Sequence, residues 1–247
     1  MQKLGIVIPA YNEDKQVIRL IKEINKKIII KKILIVDDSV YSKIKNIHLL
    51  FDNVIYVNRK QKLGRGSAII LGLRILKKFG IDTFIEMDAD FSHNPNEIRK
   101  NILIFNKKKL DLLIASRYLK NSKIIDWPIN RKIFSKISNL LAKFLLKIPV
   151  SDYTNGFRIY SSKATKIIIR KCGKIGDGFI ILSEILMELY LNKLNIGETS
   201  TIFVNRKRGE SSVNMSLIYK SFIGLIKIYF KKKKIIRTME ISNSYYM

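Results

Sequence analysis

The sequence predicts an α/β fold with a mostly parallel central sheet flanked by helices. Over the first 116 residues, short apolar runs alternate with segments of helical periodicity. Such alternation favours a parallel sheet, because the crossover between two parallel strands usually contains a helix. Beyond residue 117 the chain continues with longer helical patterns, and neither an internal repeat nor a Gly/Ser-rich linker divides it. We therefore expect one domain with a C-terminal appendage.

Five apolar runs are the candidate strands in the first half of the chain. They cover residues 4–8, 33–36, 54–57, 84–87 and 112–115. Each run is short and rich in large apolar residues, as expected of strands that are buried on both faces. Helical spacing of apolar residues occurs between most of these runs, at residues 17–24, 67–78 and 95–106.

The second half of the chain is mostly helical in its pattern. Helices are predicted over residues 129–147, 163–171, 179–191 and 215–230. A polar connection is predicted over residues 151–160, and a late strand over residues 201–204. The last segment, from residue 236 to residue 247, is expected to be a loose tail.

The charge of the chain indicates an anionic partner. Lysine and arginine total 47 residues against 20 aspartates and glutamates, which gives a net charge of +27 and a pI near 10.1. A nucleic acid, an acidic membrane surface and a phosphorylated substrate are the candidate partners. The single cysteine, Cys172, excludes a disulfide-stapled scaffold, and two histidines, His48 and His93, argue against a His-rich metal site.

Two carboxylates stand together at the predicted exit of the fourth strand, in Asp88-Ala89-Asp90. In open parallel sheets, ligands bind outside the carboxyl ends of the strands. Mg²⁺ and Mn²⁺ are typically held by one or two carboxylates together with substrate phosphates. The alternative is a helix N-cap and turn, since Asp90, Ser92 and Asn94 are good capping residues and Pro95 suits a first helical turn. The position at a strand exit and three companion segments favour the metal site.

The three companion segments lie where a strand ends or a helix begins. Asp37-Asp38 follows the second strand and suits a ribose or a base edge, or alternatively a simple turn. Gly64 and Gly66 precede a helix, where backbone N–H groups can approach a phosphate. Neither the third glycine of a dinucleotide fingerprint nor the Lys-Ser/Thr of a P-loop accompanies them. Glu13, after the first strand, is placed either to hydrogen-bond a nucleotide or to cap the first helix.

These segments resemble the family 2 glycosyltransferases of GT-A fold, and within them the dolichol-phosphate (polyprenol-phosphate) mannosyltransferases. The resemblance runs from residue 4 to residue 230. The early motifs are Val7-Ile8-Pro9-Ala10-Tyr11-Asn12-Glu13, Val36-Asp37-Asp38-Ser39, Gly64-Arg65-Gly66-Ser67-Ala68 and Met87-Asp88-Ala89-Asp90-Phe91-Ser92-His93-Asn94-Pro95. The later motifs, which resemble the polyprenol-phosphate branch in particular, are Ala115-Ser116-Arg117-Tyr118, Trp127 with Arg131-Lys132, Ser151-Asp152-Tyr153-Thr154-Asn155-Gly156-Phe157-Arg158, and Phe203-Val204-Asn205-Arg206 with Gly209-Glu210-Ser211.

The resemblance implies a role for each motif residue. The residues expected to bind the nucleotide sugar are Pro9, Tyr11, Glu13, Asp37, Asp38, Asp88 and Ala89. The expected ligands of a divalent metal, Mg²⁺ or Mn²⁺, are Asp88, Asp90 and Ser92. The acceptor phosphate is expected to face Arg117, Arg131, Lys132 and Arg206, and the candidate catalytic residues are Asp90, Arg117 and Arg131.

The reaction implied by the resemblance is inverting transfer of mannose from GDP-mannose to dolichyl or polyprenyl phosphate, with a β-linked product. The leaving group is a nucleoside diphosphate, whose developing charge a dication and arginines stabilise. The acceptor phosphate has a second pKa of about 6, so it is largely anionic at pH 7 and needs no general base. A polyprenyl-phosphate glucosyltransferase that uses UDP-glucose is the alternative.

Two other classes of protein fit the sequence less well. A nucleic-acid-binding module clusters its basic residues with exposed aromatic residues. Here the basic residues are scattered through every segment, so no nucleic acid is expected as a partner. A sugar-phosphate nucleotidylyltransferase shares a nucleotide-binding sheet and a metal-binding aspartate, but it carries a Gly-rich loop with arginine and lysine where this chain has residues 9–13.

The expected domains are a GT-A catalytic domain over residues 1–212, an amphipathic basic helix over 213–234 and a tail over 235–247. Lys220 and Lys227 interrupt the apolar residues of that helix, which fits a membrane surface better than a span, with a core helix as the alternative. No stretch approaches the roughly 20 apolar residues of a span, and no signal peptide is recognised. We expect a peripheral protein on the cytoplasmic side of a membrane, bound by itself or through a small membrane-anchoring subunit.

Overall fold

A seven-stranded sheet forms the centre of the molecule. The computed structural model describes residues 2–13, 16–176, 178, 180–205 and 215–244. The strands of this sheet are β1 (Leu4–Ala10), β2 (Lys32–Asp37), β3 (Val54–Asn58), β4 (Thr83–Glu86), β5 (Leu112–Ser116), β7 (Arg158–Ser161) and β8 (Ile196–Ser200). Two short strands, β6 (Lys123–Ile125) and β9 (Ile202–Val204), pair in parallel beside it.

The order of the strands across the sheet is β3-β2-β1-β4-β7-β5-β8. All neighbouring pairs are parallel except those of β7, which runs antiparallel to β4 and β5. The expectation of a mostly parallel α/β sheet is therefore confirmed. The first five predicted strands are all present, with bounds that differ from the predicted ones by at most two residues at either end.

Helices cover both faces of the sheet. They are α1 (Gln16–Lys27), α2 (Arg65–Lys78), α3 (Glu97–Lys107), α4 (Ile129–Leu146), α5 (Ser162–Lys171), α6 (Ile180–Leu191) and α7 (Met215–Ser244). Alternate residues of β1 point to opposite layers, as the pleat of a strand requires. Ile6 and Ile8 belong to the core that α1 and α3 cover, whereas Val7 belongs to the core built with α2, α5 and α6.

Residues 151–160, predicted to be a connection, contain the start of β7. This strand begins at Arg158 and lies in the interior of the sheet, between β4 and β5. The Arg158 side chain is fully buried, and its guanidinium donates hydrogen bonds to the backbone oxygens of Tyr153, Asn155 and Leu182. A buried arginine interrupts the apolar run by which a strand is recognised. The predicted connection is therefore wrong for residues 158–160.

α7 continues to Ser244, beyond the predicted span of residues 215–230. The expectation of a loose tail is therefore wrong for residues 235–244. No glycine or proline occurs after residue 224, and lysine, arginine, methionine and glutamate are good helix formers. The domain boundary expected at residue 212 lies outside the described residues. No helix in the part of the chain that the structure describes has the length and apolar character needed to cross a membrane.

An ion pair attaches α7 to α6. Lys231 Nζ lies 3.1 Å from Glu184 Oε1 and 2.7 Å from Glu188 Oε1. Both carboxylates are almost fully buried, and Glu184 also accepts a hydrogen bond from the backbone N–H of Gly173. Burial acts to lower the pKa of the Lys231 ammonium, but the two carboxylates outweigh it and raise that pKa. Lys231 therefore compensates two buried negative charges.

Replacing Lys231 by methionine is expected to lower the free energy of unfolding by about 1–3 kcal/mol, because the buried carboxylates of Glu184 and Glu188 lose their cation. The loss is limited because Lys231 is partly exposed, so that water already screens its charge. The measurement is urea denaturation at pH 7. Lys234→Met, at an exposed position on the same helix, is the matched control and is expected to change stability by less than about 0.5 kcal/mol. Equal stability of the two variants would contradict the role given to Lys231.

Candidate functional site

Three of the predicted site segments meet at one edge of the sheet. β1, β2 and β4 are parallel neighbours, and their carboxyl ends lead into Tyr11, Asp38 and Asp88. The backbone N–H of Asn12 donates a hydrogen bond of 2.7 Å to Ser39 Oγ, which ties the first two exits together. The structure therefore brings these segments together as the sequence predicts.

The exit of β1 forms an open surface at this edge. Pro9 and Glu13 are half-buried, and the Tyr11 ring is exposed. Lys62 Nζ lies 4.6 Å from the centre of the Tyr11 ring, a distance at which a cation is attracted to an aromatic face. An accessible aromatic ring beside a cation is a surface on which a planar ligand can stack.

Asp37 uses both of its carboxylate oxygens within the protein. Its Oδ1 accepts hydrogen bonds from the backbone N–H of Ser39 at 2.9 Å and from the Ser39 hydroxyl at 2.5 Å. Its Oδ2 accepts a hydrogen bond of 2.8 Å from the Tyr56 hydroxyl. Asp37 therefore shapes the turn after β2, as the turn alternative proposes, and a direct contact with a nucleotide stays a prediction.

Asp38 anchors the loop that precedes α2. Its Oδ2 accepts hydrogen bonds of 2.9 Å from the backbone N–H groups of Leu63 and Gly64, and its Oδ1 accepts one of 2.6 Å from Arg59 Nε. Arg59 also donates to Ser67 Oγ and to the carbonyl oxygen of Gly64. Asp38 thus fixes the glycine-containing loop relative to β2.

Asp88 is paired with an arginine whose role the sequence does not reveal. Arg65, the first residue of α2, donates to Asp88 Oδ1 from Nη2 at 2.9 Å and from Nε at 3.2 Å. The same guanidinium bonds to Glu86, which also accepts a hydrogen bond from the Tyr160 hydroxyl. Burial acts to raise the pKa of Asp88, but the positive charge of Arg65 outweighs it and lowers that pKa. Ala89 is buried beside this pair.

His93 links the exits of β4 and β5. Its Nδ1 accepts a hydrogen bond of 3.1 Å from the backbone N–H of Asp88. This bond assigns the ring proton to Nε2, which lies 3.0 Å from Asn155 Oδ1 and donates to it. The Asn155 amide in turn donates to the carbonyl oxygen of Ala115. His93 thereby has a positioning role beneath Asp88.

Asp90 does not cap the next helix. Its Oδ1 accepts a hydrogen bond of 3.0 Å from the backbone N–H of Ser92, which closes a turn around Phe91. α3 begins only at Glu97, and its N-terminal capping residue, Asn96, makes no side-chain capping bond. Asp90 therefore forms the turn of the alternative, but neither Asp90 nor Ser92 caps the helix. Asn94 Oδ1 does accept a hydrogen bond of 3.0 Å from the backbone N–H of Asn96, directly before α3.

Arg117 lies in the interior of the site and is held by Asp152. Its Nε and Nη2 donate to the two Asp152 oxygens at 2.8 Å, and Nη2 also donates to Thr154 Oγ1 at 2.6 Å. Burial acts to lower the pKa of Arg117, but the Asp152 carboxylate outweighs it and raises that pKa. For Asp152, burial acts to raise the pKa, and the Arg117 charge outweighs it and lowers that pKa. Arg117 is therefore a fixed cation.

Arg131 faces the same region from α4. Its Nη1 donates a hydrogen bond of 2.9 Å to Asn205 Oδ1, and its guanidinium lies 4.5 Å from the centre of the Trp127 ring. Arg117 approaches the same ring at 5.5 Å. The buried indole N–H of Trp127 has no hydrogen-bond partner among the described residues. Two cations and a buried donor therefore gather at one place, a combination suited to an anion.

Lys132 and Arg206 complete the predicted set of cations for the acceptor phosphate. Lys132 is exposed on α4. Arg206, together with the predicted motif of residues 209–211, lies outside the described residues. Their predicted contacts with an acceptor phosphate stay predictions.

A groove of about 540 Å³ joins the predicted site residues to two helices. Its polar wall includes Asp88, Asp90, Ser92, Arg117, Arg131, Thr154 and Asn155. Its apolar wall includes Phe134, Ile137 and Leu141 of α4 and Phe222 and Leu225 of α7, together with Trp127, Ile180 and Phe203. One cavity thus combines carboxylates and arginines with a wall of aliphatic and aromatic side chains.

α4 carries apolar residues on two sides. Ala142 and Leu146 are buried in the core. On the outer side, five large apolar residues at helical spacing are each more than half exposed, namely Ile129, Ile133, Ile137, Leu140 and Phe144. We call this set the α4 outer face. Contiguous exposed apolar residues mark interaction sites. The sequence predicts the helix but not which of its apolar residues face outward.

The residues present fit a hard divalent cation. Asp88 and Asp90 both line the groove, with Ser92 beside them, and all three offer oxygen ligands of the kind that Mg²⁺ and Mn²⁺ prefer. Within the described ranges, no cluster of three or more histidine, cysteine, aspartate or glutamate side chains is placed to hold a metal ion. A cation at this place would therefore need further ligands, such as the phosphate oxygens of a substrate.

Comparison with known proteins identifies clear relatives. Residues 5–168 match the family model described as Glycosyl transferase family 2. The chain is similar to the undecaprenyl-phosphate mannosyltransferase of Micrococcus luteus, with 26% identity over 90% of this chain and 91% of that protein. It is 28% identical to the polyprenol monophosphomannose synthase of Mycolicibacterium smegmatis, over 88% and 83% of the two chains. It is 31% identical to the dolichol-phosphate mannosyltransferase of Pyrococcus furiosus, over 88% and 61%.

Solved structures share the same fold. The glucosyl-3-phosphoglycerate synthase of Mycobacterium tuberculosis, in complex with Mn²⁺, UDP and glucosyl-3-phosphoglycerate, superposes with a TM-score of 0.63 at 15% identity, over 94% of this chain and 80% of that one. Residues 1–349 of TarS from S. aureus give a TM-score of 0.54 at 14% identity, over 93% and 72%. At these identities the likeness concerns the fold alone, and the expected GT-A fold is confirmed.

Replacing Asp152 by asparagine is expected to lower the free energy of unfolding at pH 7 by about 2–4 kcal/mol, because Arg117 is left buried without its counter-charge. The pKa of Asp152 is lowered in the folded protein, so its contribution to stability is present above the unfolded value of about 3.9 and is lost as pH falls below it. The difference between wild type and D152N is therefore expected to shrink below about pH 4.

The measurement is urea denaturation of both proteins between pH 7 and pH 3. Asp52→Asn, which changes an exposed carboxylate far from the site, is the control and is expected to stay within about 0.5 kcal/mol of wild type at pH 7. A wild-type–D152N difference that stays constant down to pH 3 would show that the Asp152 charge does not stabilise the fold.

Proposed function

The chain belongs to glycosyl transferase family 2, and we propose that it transfers mannose from GDP-mannose to the phosphate of dolichyl or another polyprenyl phosphate. The groove carries this proposal, because Asp88 and Asp90 share it with the apolar residues of α4 and α7. A sugar nucleotide needs the acidic pair, and a lipid needs the apolar wall. The names of the three curated relatives refer to mannosyl transfer to undecaprenyl or dolichol phosphate or to polyprenol monophosphomannose, which supports mannose as the sugar and a polyprenyl phosphate as the acceptor.

The donor would bind at the carboxyl edge of β1, β2 and β4. Pro9, Tyr11 and Glu13 would receive the nucleotide, on a loop framework that Asp37 and Asp38 hold in place. A bound Mg²⁺ or Mn²⁺ would supply positive charge to the leaving diphosphate. The M. tuberculosis neighbour was crystallised in complex with Mn²⁺ and UDP, which supports a divalent ion of this kind.

The acceptor phosphate would bind near Arg117 and Arg131. Both guanidinium groups approach the ring of Trp127, whose indole N–H is buried without a partner among the described residues. Arginine suits this task because its guanidinium keeps its positive charge and offers N–H donors to phosphate oxygens. The lipid chain would leave along the apolar wall between α4 and α7.

The proposed reaction is a single displacement at the anomeric carbon of mannose. An acceptor phosphate oxygen forms a bond to that carbon while the bond from the carbon to the diphosphate breaks. GDP leaves with the electron pair of the broken bond, and an α-linked donor gives a β-linked product. The acceptor phosphate is already anionic at pH 7, so no side chain has to remove a proton.

A membrane surface is the proposed location of the acceptor. The α4 outer face is apolar, and the lysines at positions 132, 136 and 143 of the same helix are exposed. An apolar face bordered by lysines suits the interface of an anionic bilayer. The proposal places the protein peripherally on the cytoplasmic side of a membrane, by itself or with a small membrane-anchoring subunit. The proposed contact with the membrane lies mainly on α4, whereas the sequence analysis expects it on the helix at residues 213–234.

Incubation of the purified protein with GDP-mannose, Mn²⁺ and dolichyl or undecaprenyl phosphate is expected to give lipid-linked mannose, measured as radioactivity extracted into organic solvent. Asp88→Asn and Asp90→Asn are each expected to lower turnover by about 10²-fold or more, because the charge that holds the cation is lost. Asp52→Asn, a remote exposed carboxylate, is the matched control and is expected to keep full activity.

The same assay separates the proposal from its alternative. If lipid-linked sugar formed from UDP-glucose but not from GDP-mannose, the proposed activity would change from mannosyl transfer to glucosyl transfer. Full turnover by the Asp88 and Asp90 variants would overturn the metal site itself.

Binding to vesicles that contain phosphatidylglycerol is expected to fall by about tenfold or more when Leu140 and Phe144 are both replaced by glutamate, because apolar burial is lost and negative charge is added. The measurement is co-sedimentation with the vesicles. Leu103→Glu, at an equally exposed leucine on α3, is the control and is expected to bind like wild type. A similar loss in the control would mean that net charge alone, and not the α4 outer face, determines binding.

A further inference from the structure

We propose that Arg65 is an internal counter-ion of Asp88, which makes cation binding at Asp88 and Asp90 depend on a nucleoside diphosphate. This inference rests on the proposed function, since it concerns the cation that the sugar donor would use. It assigns a task to a side chain that touches neither substrate in the proposal. Arg65 is therefore a positioning residue.

The guanidinium of Arg65 is held on three sides. Nη1 bonds to Glu86, and Nη2 and Nε both donate to Asp88 Oδ1. Glu86 is fully buried and is fixed by the Tyr160 hydroxyl at 2.6 Å. The backbone of Gly156 closes the third side, since a Cβ atom at that position would clash with Arg65 Nη2. This packing leaves little room for the guanidinium to swing away from Asp88.

The pairing reduces what Asp88 can offer to a free cation. Its Oδ1 is occupied by two N–H donors, so one of its two oxygens is already engaged. A dication that approaches Asp88 and Asp90 also meets the positive charge of Arg65 at close range, which opposes its binding. The described residues supply no third acidic, histidine or cysteine ligand. The carboxylate pair alone is therefore a weak site for Mg²⁺ or Mn²⁺.

A nucleoside diphosphate changes this balance. It brings several anionic oxygens that can coordinate the cation, and its negative charge is attracted by the cation and by Arg65 and Arg117. Each ligand then increases the affinity for the other, and thermodynamic linkage requires that the effect be mutual. The metal ion would be taken up together with the donor and released with the nucleotide product.

The test compares variants in a Glu86→Gln background. Removing Arg65 alone would leave Glu86 as an uncompensated buried charge, whereas E86Q removes that charge and keeps Arg65 on Asp88. R65M/E86Q then differs from E86Q only in the guanidinium, and R65K/E86Q restores its positive charge. Far-UV circular dichroism and thermal unfolding check that all variants fold.

Two affinities are measured for each variant. Binding of Mn²⁺ alone is followed by the paramagnetic resonance signal of the free ion. Binding of GDP, and separately of UDP, is measured with Mn²⁺ and with EDTA. In the wild type and in E86Q, Mn²⁺ is expected to tighten binding of one of these nucleotides by a factor of about 5–150. In R65M/E86Q, Mn²⁺ alone is expected to bind about tenfold tighter than in E86Q, and R65K/E86Q is expected to reverse most of that gain.

Two results would overturn the inference. A folded R65M/E86Q that binds Mn²⁺ alone as weakly as E86Q would show that Arg65 does not weaken the free site. If Mn²⁺ strengthened the binding of neither GDP nor UDP to the wild-type protein, both the inference about Arg65 and the proposed metal-dependent donor site would be contradicted. If Mn²⁺ and the nucleotide strengthened each other's binding but no mannose were transferred, the inference about Arg65 would hold. Only the proposed sugar or acceptor would then be wrong.

Discussion

Three carboxylates at the carboxyl edge of the sheet, two of them buried and one partly exposed, are each compensated by an arginine from another segment, and the site depends on this pairing. A charge that is removed from water without a partner is costly, so neither member of such a pair can be lost without destabilising the other. The pairs are Arg59–Asp38, Arg65–Asp88 and Arg117–Asp152. Together they bind the loops that follow the parallel strands into one rigid floor. The groove is therefore shaped before any ligand arrives, which lowers the entropic cost of binding.

Much of the fold can be predicted from the sequence because β1 to β5 are short, uninterrupted apolar runs. Parallel strands buried on both faces leave that signature in the sequence. β7 lacks this signature, since its first residue, Arg158, is a buried arginine that donates hydrogen bonds to backbone oxygens. β8 lacks it as well, since Ile196 is its one large apolar residue and the strand lies at the edge of the sheet. These strands depend on tertiary contacts that the local sequence does not contain.

The candidate site follows the same division. Asp38, Asp88 and Asp90 can be found from their position after a strand. The sequence does not show which of these carboxylates forms an ion pair within the protein. The partner of Asp38, Arg59, is 21 residues away along the chain, and the partner of Asp88, Arg65, is 23 residues away. The α4 outer face is hidden for a related reason: the helix is apolar on both sides, and only packing decides which side is covered. The excess of lysine and arginine indicates an anionic partner, but it does not show which surface of the protein binds that partner.

The mixed character of the groove has a consequence for the range of acceptors. Its apolar wall reaches exposed residues of α4 and α7, among them Ile137, Tyr219 and Phe222, so the cavity does not end in a closed pocket. If the acceptor is a polyprenyl phosphate, the protein grips only the headgroup and the first part of the tail, while the remainder stays in the bilayer. Within the described ranges, no structural element then measures the number of isoprene units, and we expect lipids of different length to be equivalent substrates.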